Sequence, residues 1–205
     1  DRSREAVAEH VARELGSTDM MCNNAGRGLS GALRATSGEE WQQVLGGKRW
    51  GVIHGGRLFA RQMVDNGKAG HIVNVASAAA FLPSRMLPAY ATSKSAVLMF
   101  SECLRAEMAE HNIGVSAICP GIIDTPITRS TRFVGVADEE QSRRWEDAAK
   151  LYQRRAYTPD RVAQAIVEAV PSNPAGGPVN PEARGMQWLG RFTPSLARNL
   201  AQVEI

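Results

Sequence analysis

Apolar residues recur along this chain in two rhythms. In the first, Val7, Val11 and Leu15 are spaced four apart between Arg4 and Leu15, with Gly16 as a stop. That spacing puts one apolar stripe on a helix. In the second, short apolar runs are bounded by turn formers: Met20 to Asn23, His71 to Ala76 with its β-branched Ile72, Val73 and Val75, and Ile113 to Cys119. Such runs read as buried strands. Between them lie longer helical stretches. One starts near Ser37, with Glu39 and Glu40 in its first turn, runs through Trp41 and Val44, and resumes from Val52 to Val64. Gly46 and Gly47 predict an interruption, since each glycine costs about 1 kcal/mol in a helix interior. Another helix runs from Ala89 to about His111 behind Pro88, and a charged one from Asp138 to Arg155. Thr158-Pro159 places an N-cap and a first-turn proline before a helix reaching Val170. Pro171 to Pro181 reads as a loop with weak strand potential near Val179.

Strands alternating with helices predict βαβ units and a parallel sheet, with a ligand crevice at the carboxyl ends of the strands. The polar clusters after Met21, Val75 and Ile118 fall at those ends. At 205 residues and 43% hydrophobic, the chain is long and apolar enough for one domain with a real core. A formal charge of +3, from scattered residues of both signs, gives no nucleic-acid footprint. No apolar run approaches the ~20 residues of a membrane helix. Cys22, Cys103 and Cys119 are too few and too scattered for a disulfide framework or a zinc site, which points to a reducing cytoplasm. His10, His54, His71 and His111 have no metal-ligand spacing, so no metal is expected. Trp41, Trp50, Trp145, Trp188 and the stretch Met186 to Phe192 read as packing residues, and Arg143-Arg144 and Arg154-Arg155 as a solvated helix face.

Chemistry concentrates on Ser77, Tyr90 and Lys94. Tyr90 and Lys94 are four apart on one helix, so they share a face. A phenol with a pKa near 10 is a poor acid-base group at neutral pH, and a nearby ammonium favours its ionised form. Ser77, just past a strand, is placed to hydrogen-bond the oxygen of a carbonyl or alcohol. The three residues together describe a proton-transfer site. The run Gly26-Arg27-Gly28-Leu29-Ser30-Gly31 also matches GxGxxG, but no helix opens directly after it, so it reads as a decoy for a phosphate loop.

Asn23-Asn24-Ala25-Gly26 after one strand, Ser77 after the next, Tyr90-Ala91-Thr92-Ser93-Lys94 on a helix and Pro120-Gly121 after a third strand stand in an order and spacing that closely resemble the short-chain dehydrogenase/reductase family. The resemblance covers nearly the whole chain. It implies interconversion of a secondary alcohol and a ketone with NAD or NADP. Tyr90 would be the general acid or base. Lys94 would lower the tyrosine pKa and bind the nicotinamide ribose, and Ser77 would orient the substrate. Asn23, with Ala25 and Gly26, would meet the adenosine side of the cofactor; Pro120, Gly121, Ile123 and Thr125 would line its nicotinamide end. A homodimer or homotetramer is implied through the helices bearing Trp50 to Val64 and Ala89 to His111. A looser resemblance is to reductase domains attached to α/β-hydrolase domains in actinobacteria.

Two departures accompany the resemblance. The family's opening strand and TGxxxGIG loop are not in the 205 residues. The expected architecture is therefore a single domain over 1–205, N-terminally incomplete: a three-layer α/β Rossmann-type parallel sheet missing its first strands. Second, Lys48 stands where the family carries an asparagine. That favours the rival reading of a non-catalytic family member serving as a binding or scaffold module. It also predicts a helix broken at Gly46 to Arg49, with Lys48 turned to solvent.

Overall fold

The computed structural model describes residues 2–155 and 157–202; the side chains of 2–4, 47–49 and 128 lie outside that description. Four strands form a parallel sheet in the order β1 (Met20–Asn23), β3 (Gly70–Val75), β4 (Ile113–Cys119), β6 (Gly176–Pro178). The registers run Met20 against His71, Gly70 against Ile113 and Ala117 against Gly176. A second, two-stranded parallel sheet pairs β2 (Leu29–Ser30) with β5 (Arg132–Phe133).

The sheet is covered on both faces, which is why β3 and β4 read as nearly continuous apolar runs. Ile72 and Val115 point to one side, against Ala60 and Met63 of α2 (Gly38–Asp65) and Leu104 and Met108 of α3 (Pro88–Met108). Val73 and Ile118 point to the other side, against Val162, Ile166 and Ala169 of α6 (Pro159–Ser172). These are the three layers expected of the sequence. No helix among the described residues is long and apolar enough to cross a membrane.

Three expectations are corrected. First, α2 is one continuous helix through Gly46 to Arg49. It starts with a full capping box, Glu40 N donating to Ser37 Oγ at 3.2 Å and Ser37 N to Glu40 Oε2 at 2.8 Å. Its length is set by packing along the sheet, which outweighs the cost of its glycines. The side chain of Lys48 lies outside the described residues. Second, α1 (Arg2–Leu15) does not bury its Val7 and Leu15 stripe; both are exposed, and Ala8 is the buried position, its carbonyl receiving Gln62 Nε2 at 2.7 Å. A small residue there lets α1 lie close on α2. Third, Met186 to Phe192 falls on α7 (Pro181–Phe192), where Trp188 and Phe192 are exposed and their rings meet at a tilt of 44° with centroids 5.8 Å apart. Trp50 is likewise exposed, stacked on His54. The strand expected near Val179 is present at Gly176–Pro178, and Val179 N donates to Cys119 O at 3.3 Å just beyond it. The last described helix is α8 (Pro194–Leu200). Two further elements, α4 (Ile127–Ser130) and α5 (Asp138–Arg155), lie between β4 and α6.

Candidate active site

The carboxyl end of β3 is extended past Val75 by two bonds to the β4 side. Ala76 N donates to Ile118 O at 2.8 Å and Ala78 N to Pro120 O at 2.7 Å. Ser77, held between them, caps a short 3-10 turn over Ala78–Ala80 by accepting from Ala79 N at 3.2 Å. The first turn of α3, opened by Pro88, brings Tyr90 beside it. A hydrogen bond links the Ser77 and Tyr90 side chains. One turn on, Lys94 Nζ sits 5.9 Å from the Tyr90 ring centroid and donates to Val75 O at 2.9 Å. The three residues predicted to carry the chemistry thus converge at one point.

The electrostatics differ from the sequence argument. Burial disfavours the ionised phenol and raises the Tyr90 pKa; the bond from Ser77 opposes this only partly, and Tyr152 adds to the rise. An ammonium almost 6 Å from the ring does not offset desolvation. Lys94 is itself only 7% exposed, and burial lowers its pKa to about 8. Cys119 beneath it is fully buried, with its thiol pushed up to about 12 by burial, so it stays a neutral packing residue.

These side chains open on a cleft of about 940 Å³. Ala25, Gly26, Pro120, Gly121, Ile123 and Thr125 all line it, together with Ser77, Tyr90 and Lys94. Asn23 is the exception. Its Nδ2 donates to Asn74 Oδ1 at 2.8 Å, and Asn74 Nδ2 donates to Ser101 Oγ at 2.9 Å, a polar chain running into the protein. The next residue, Asn24, faces the cleft instead. Strand alternation accounts for this: Asn23 is still in β1, while Asn24 is the first residue past it.

The GxGxxG run is not a phosphate loop. A Cβ on Gly28 would fall 2.0 Å from Thr131 Oγ1, and one on Gly31 2.6 Å from Val134 Cβ. The glycines let residues 28–31 lie against 131–134, so that β2 and β5 pair across the mouth of the cleft. Arg132 Nε also reaches Glu40 Oε1 at 3.0 Å, tying β5 to the start of α2.

Two residues at the site were not singled out by the sequence. Tyr152 enters the cleft from α5. Its only signal is its spacing of four from Ala148, on a helix that otherwise reads as charged. Asn180, fully buried, accepts from Gly121 N at 3.0 Å and so fixes the Pro120-Gly121 turn. It had no signal, being one more polar residue in a loop rich in proline and glycine.

At about 940 Å³ the cleft has room for a dinucleotide-sized group. At Gly26 an added Cβ would stand 3.9 Å from Lys94 Nζ, so the glycine leaves open the space above the lysine. Parallel strands with helices on both faces, a cleft at their carboxyl ends and a Ser-Tyr-Lys cluster inside it define a Rossmann-type oxidoreductase architecture. The profile described as short chain dehydrogenase matches residues 1–133, and the chain belongs to that family of oxidoreductases. It is 42% identical to the protein named probable oxidoreductase EphD of Mycobacterium tuberculosis (strain H37Rv) over 203 residues, 98% of this chain and 34% of EphD. The chain therefore spans about a third of the length of that relative. Among solved structures, a short chain dehydrogenase/reductase from Burkholderia phymatum in complex with NAD superposes with a TM-score of 0.78 at 28% identity, covering 94% of this chain and 72% of that one. A gluconate 5-dehydrogenase from Burkholderia cenocepacia, in complex with NADP and tartrate, matches 62% of this chain and 49% of its own, with a TM-score of 0.58 and 27% identity.

Proposed function

We propose that this chain carries the site of an NAD- or NADP-dependent oxidoreductase that interconverts a secondary alcohol and a ketone, with Tyr90 exchanging the proton. The observation that carries the reading is the convergence of Ser77, Tyr90 and Lys94 in one cleft at the strand ends. The relatives solved with NAD and NADP support the choice of cofactor. Asn24, Ala25, Gly26, Pro120, Gly121, Ile123 and Thr125 line the space that would hold it. When bound, the cofactor supplies or accepts a hydride.

In the reducing direction the substrate oxygen accepts hydrogen bonds from the Ser77 and Tyr90 hydroxyls. As the carbonyl π bond breaks and hydride reaches carbon, the Tyr90 proton passes to the oxygen. Burial keeps Tyr90 protonated beforehand, the form this direction needs. The phenolate left behind is stabilised by the Lys94 ammonium one turn away and by Ser77. Lys94, with a pKa of about 8, is mostly charged at neutral pH and able to do this.

The substrate we infer is largely apolar. Leu87, Ile122, Ile127, Phe133 and Met186 line the cleft. Arg85 and Arg129 are not among its lining residues. We also infer a homodimer or homotetramer, and a reducing, cytoplasmic setting supported by three free cysteines. The test is Tyr90→Phe in the full-length protein. Turnover of a ketone panel should fall by roughly 10²–10⁴-fold with cofactor affinity unchanged. Near-normal turnover would remove Tyr90 from the mechanism.

A further inference from the structure

We propose that Tyr152 is a second recognition point for the substrate, donating its hydroxyl to a neutral oxygen carried beyond the reacting carbon. The substrate class is then an apolar alcohol or ketone with a second hydroxyl, ether or keto oxygen. This rests on the alcohol–ketone reading of Tyr90 and adds to it the second polar group.

Helix α5 is charged along most of its length, and only Ala148 and Tyr152 of its residues line the cleft. They are four apart and share a face. Trp145, three positions before Ala148, is already satisfied, its Nε1 donating to Thr131 O at 2.6 Å. Tyr157 spends its hydroxyl on Val179 O at 3.0 Å. Tyr152 differs from both. Half-buried among apolar walls, its hydroxyl has no hydrogen-bond partner among the described residues. A ligand that fills the cleft displaces water from this hydroxyl and must supply an acceptor in its place.

The rest of the cleft says what that acceptor is. Its charged lining residues are Lys94 and Glu182. Lys94 is committed to Val75 O, and Glu182 is paired with Arg155 at 3.1 Å. The one cation among the described lining residues, Lys94, is buried beside Tyr90 and serves it, so a carboxylate or phosphate at Tyr152 would find no cation of its own and would enter at a cost. A neutral oxygen meets no such penalty. Ser77 and Tyr90 are bonded to each other and address one oxygen; Tyr152, on a different wall and bonded to neither, is left for a second. Burial raises the Tyr152 pKa, so it remains a protonated donor at any working pH.

The experiment compares matched pairs of alcohols, cyclohexanol with trans-cyclohexane-1,2-diol and 2-octanol with 2,3-octanediol, oxidised by the full-length protein with NAD or NADP. Wild type should favour the dioxygenated member in kcat/KM by about tenfold, the worth of one neutral hydrogen bond to a buried donor. Tyr152→Phe should erase that preference while leaving the mono-alcohols within about twofold. A merely structural defect would lower both members of each pair together and keep the preference, which overturns the proposal. Equal use of both members by wild type overturns it as well, and leaves the function reading intact. No turnover of any pair, with Tyr90→Phe indistinguishable from wild type, overturns the alcohol–ketone reading and takes this proposal with it.

Discussion

Lys94 keeps an ammonium where water scarcely reaches, donating to Val75 O. Its pKa is lowered to about 8 by burial, whereas the unfolded chain keeps a lysine near the ordinary 10.5. Below pH 8 both states hold the proton, and folding bears the full cost of burying the charge. Between pH 8 and 10.5 the folded protein gives up the proton while the unfolded chain retains it, so this cost fades and stability rises with pH. Lys94→Met, which removes the buried charge, should therefore melt above wild type at pH 7, with the gap closing toward pH 10.5, and should have lost turnover. Thermal unfolding of both proteins across that range checks it; a gap that widens with pH contradicts it. The pair Tyr90 and Lys94 was legible because a spacing of four on a helix means one face. Which effect dominates the phenol was not legible, because burial is a property of the packed cleft and leaves no mark on neighbouring residues in sequence. Tyr152 was hidden for the same reason, since its helix reads as solvated until α5 is laid over the strand ends.

The glycines of α2 divide by what stands opposite them. At Gly46 and Gly51 an added Cβ meets nothing within 4 Å, whereas at Gly55 it would fall 2.5 Å from Asn23 Oδ1. The first two therefore only lower helix propensity, and the third makes room for the Asn23–Asn74 pair under the sheet end. Gly46→Ala should stabilise the protein by about 1 kcal/mol. Gly55→Ala should destabilise it by about 1–3 kcal/mol, because the methyl meets a side chain already hydrogen-bonded to Asn74. Denaturant melts of the two variants, with m-values compared, separate these outcomes. A helix break was expected at Gly46 because propensity counts the glycines and misses the packing of α2 on β1, β3 and α3. The two-residue strands β2 and β5 were invisible for a different reason: alternation needs four or more residues to register. Their glycines were visible and suggested a phosphate loop, yet the closeness they permit is to Thr131 and Val134, about a hundred residues away.

At the scale of the whole molecule, the sheet was legible because both of its faces are covered. Strands buried on two sides become continuous apolar runs, and β3 and β4 lie where those runs do. The elements at the margins were harder: α7 and α8 carry apolar residues on exposed faces, so their pattern does not report a core. The same distinction bears on assembly. Of the apolar residues on the two helices implied to pair, Val52, Met63 and Leu104 are buried within the single chain. What remains exposed and apolar on α2 and α3 is Trp50, at 48%, and Met99, at 64%. Large apolar side chains left in water on two helices that already share a core are what an isologous pairing of those helices would cover. Light scattering of the full-length protein at micromolar concentration should therefore give a dimer or tetramer. Trp50→Glu combined with Met99→Glu should lower that mass while leaving the far-ultraviolet circular dichroism unchanged, because neither side chain supports the core of its own protomer. Wild type that is only monomeric would reject the assembly, and an oligomer untouched by both substitutions would move its interface to another face.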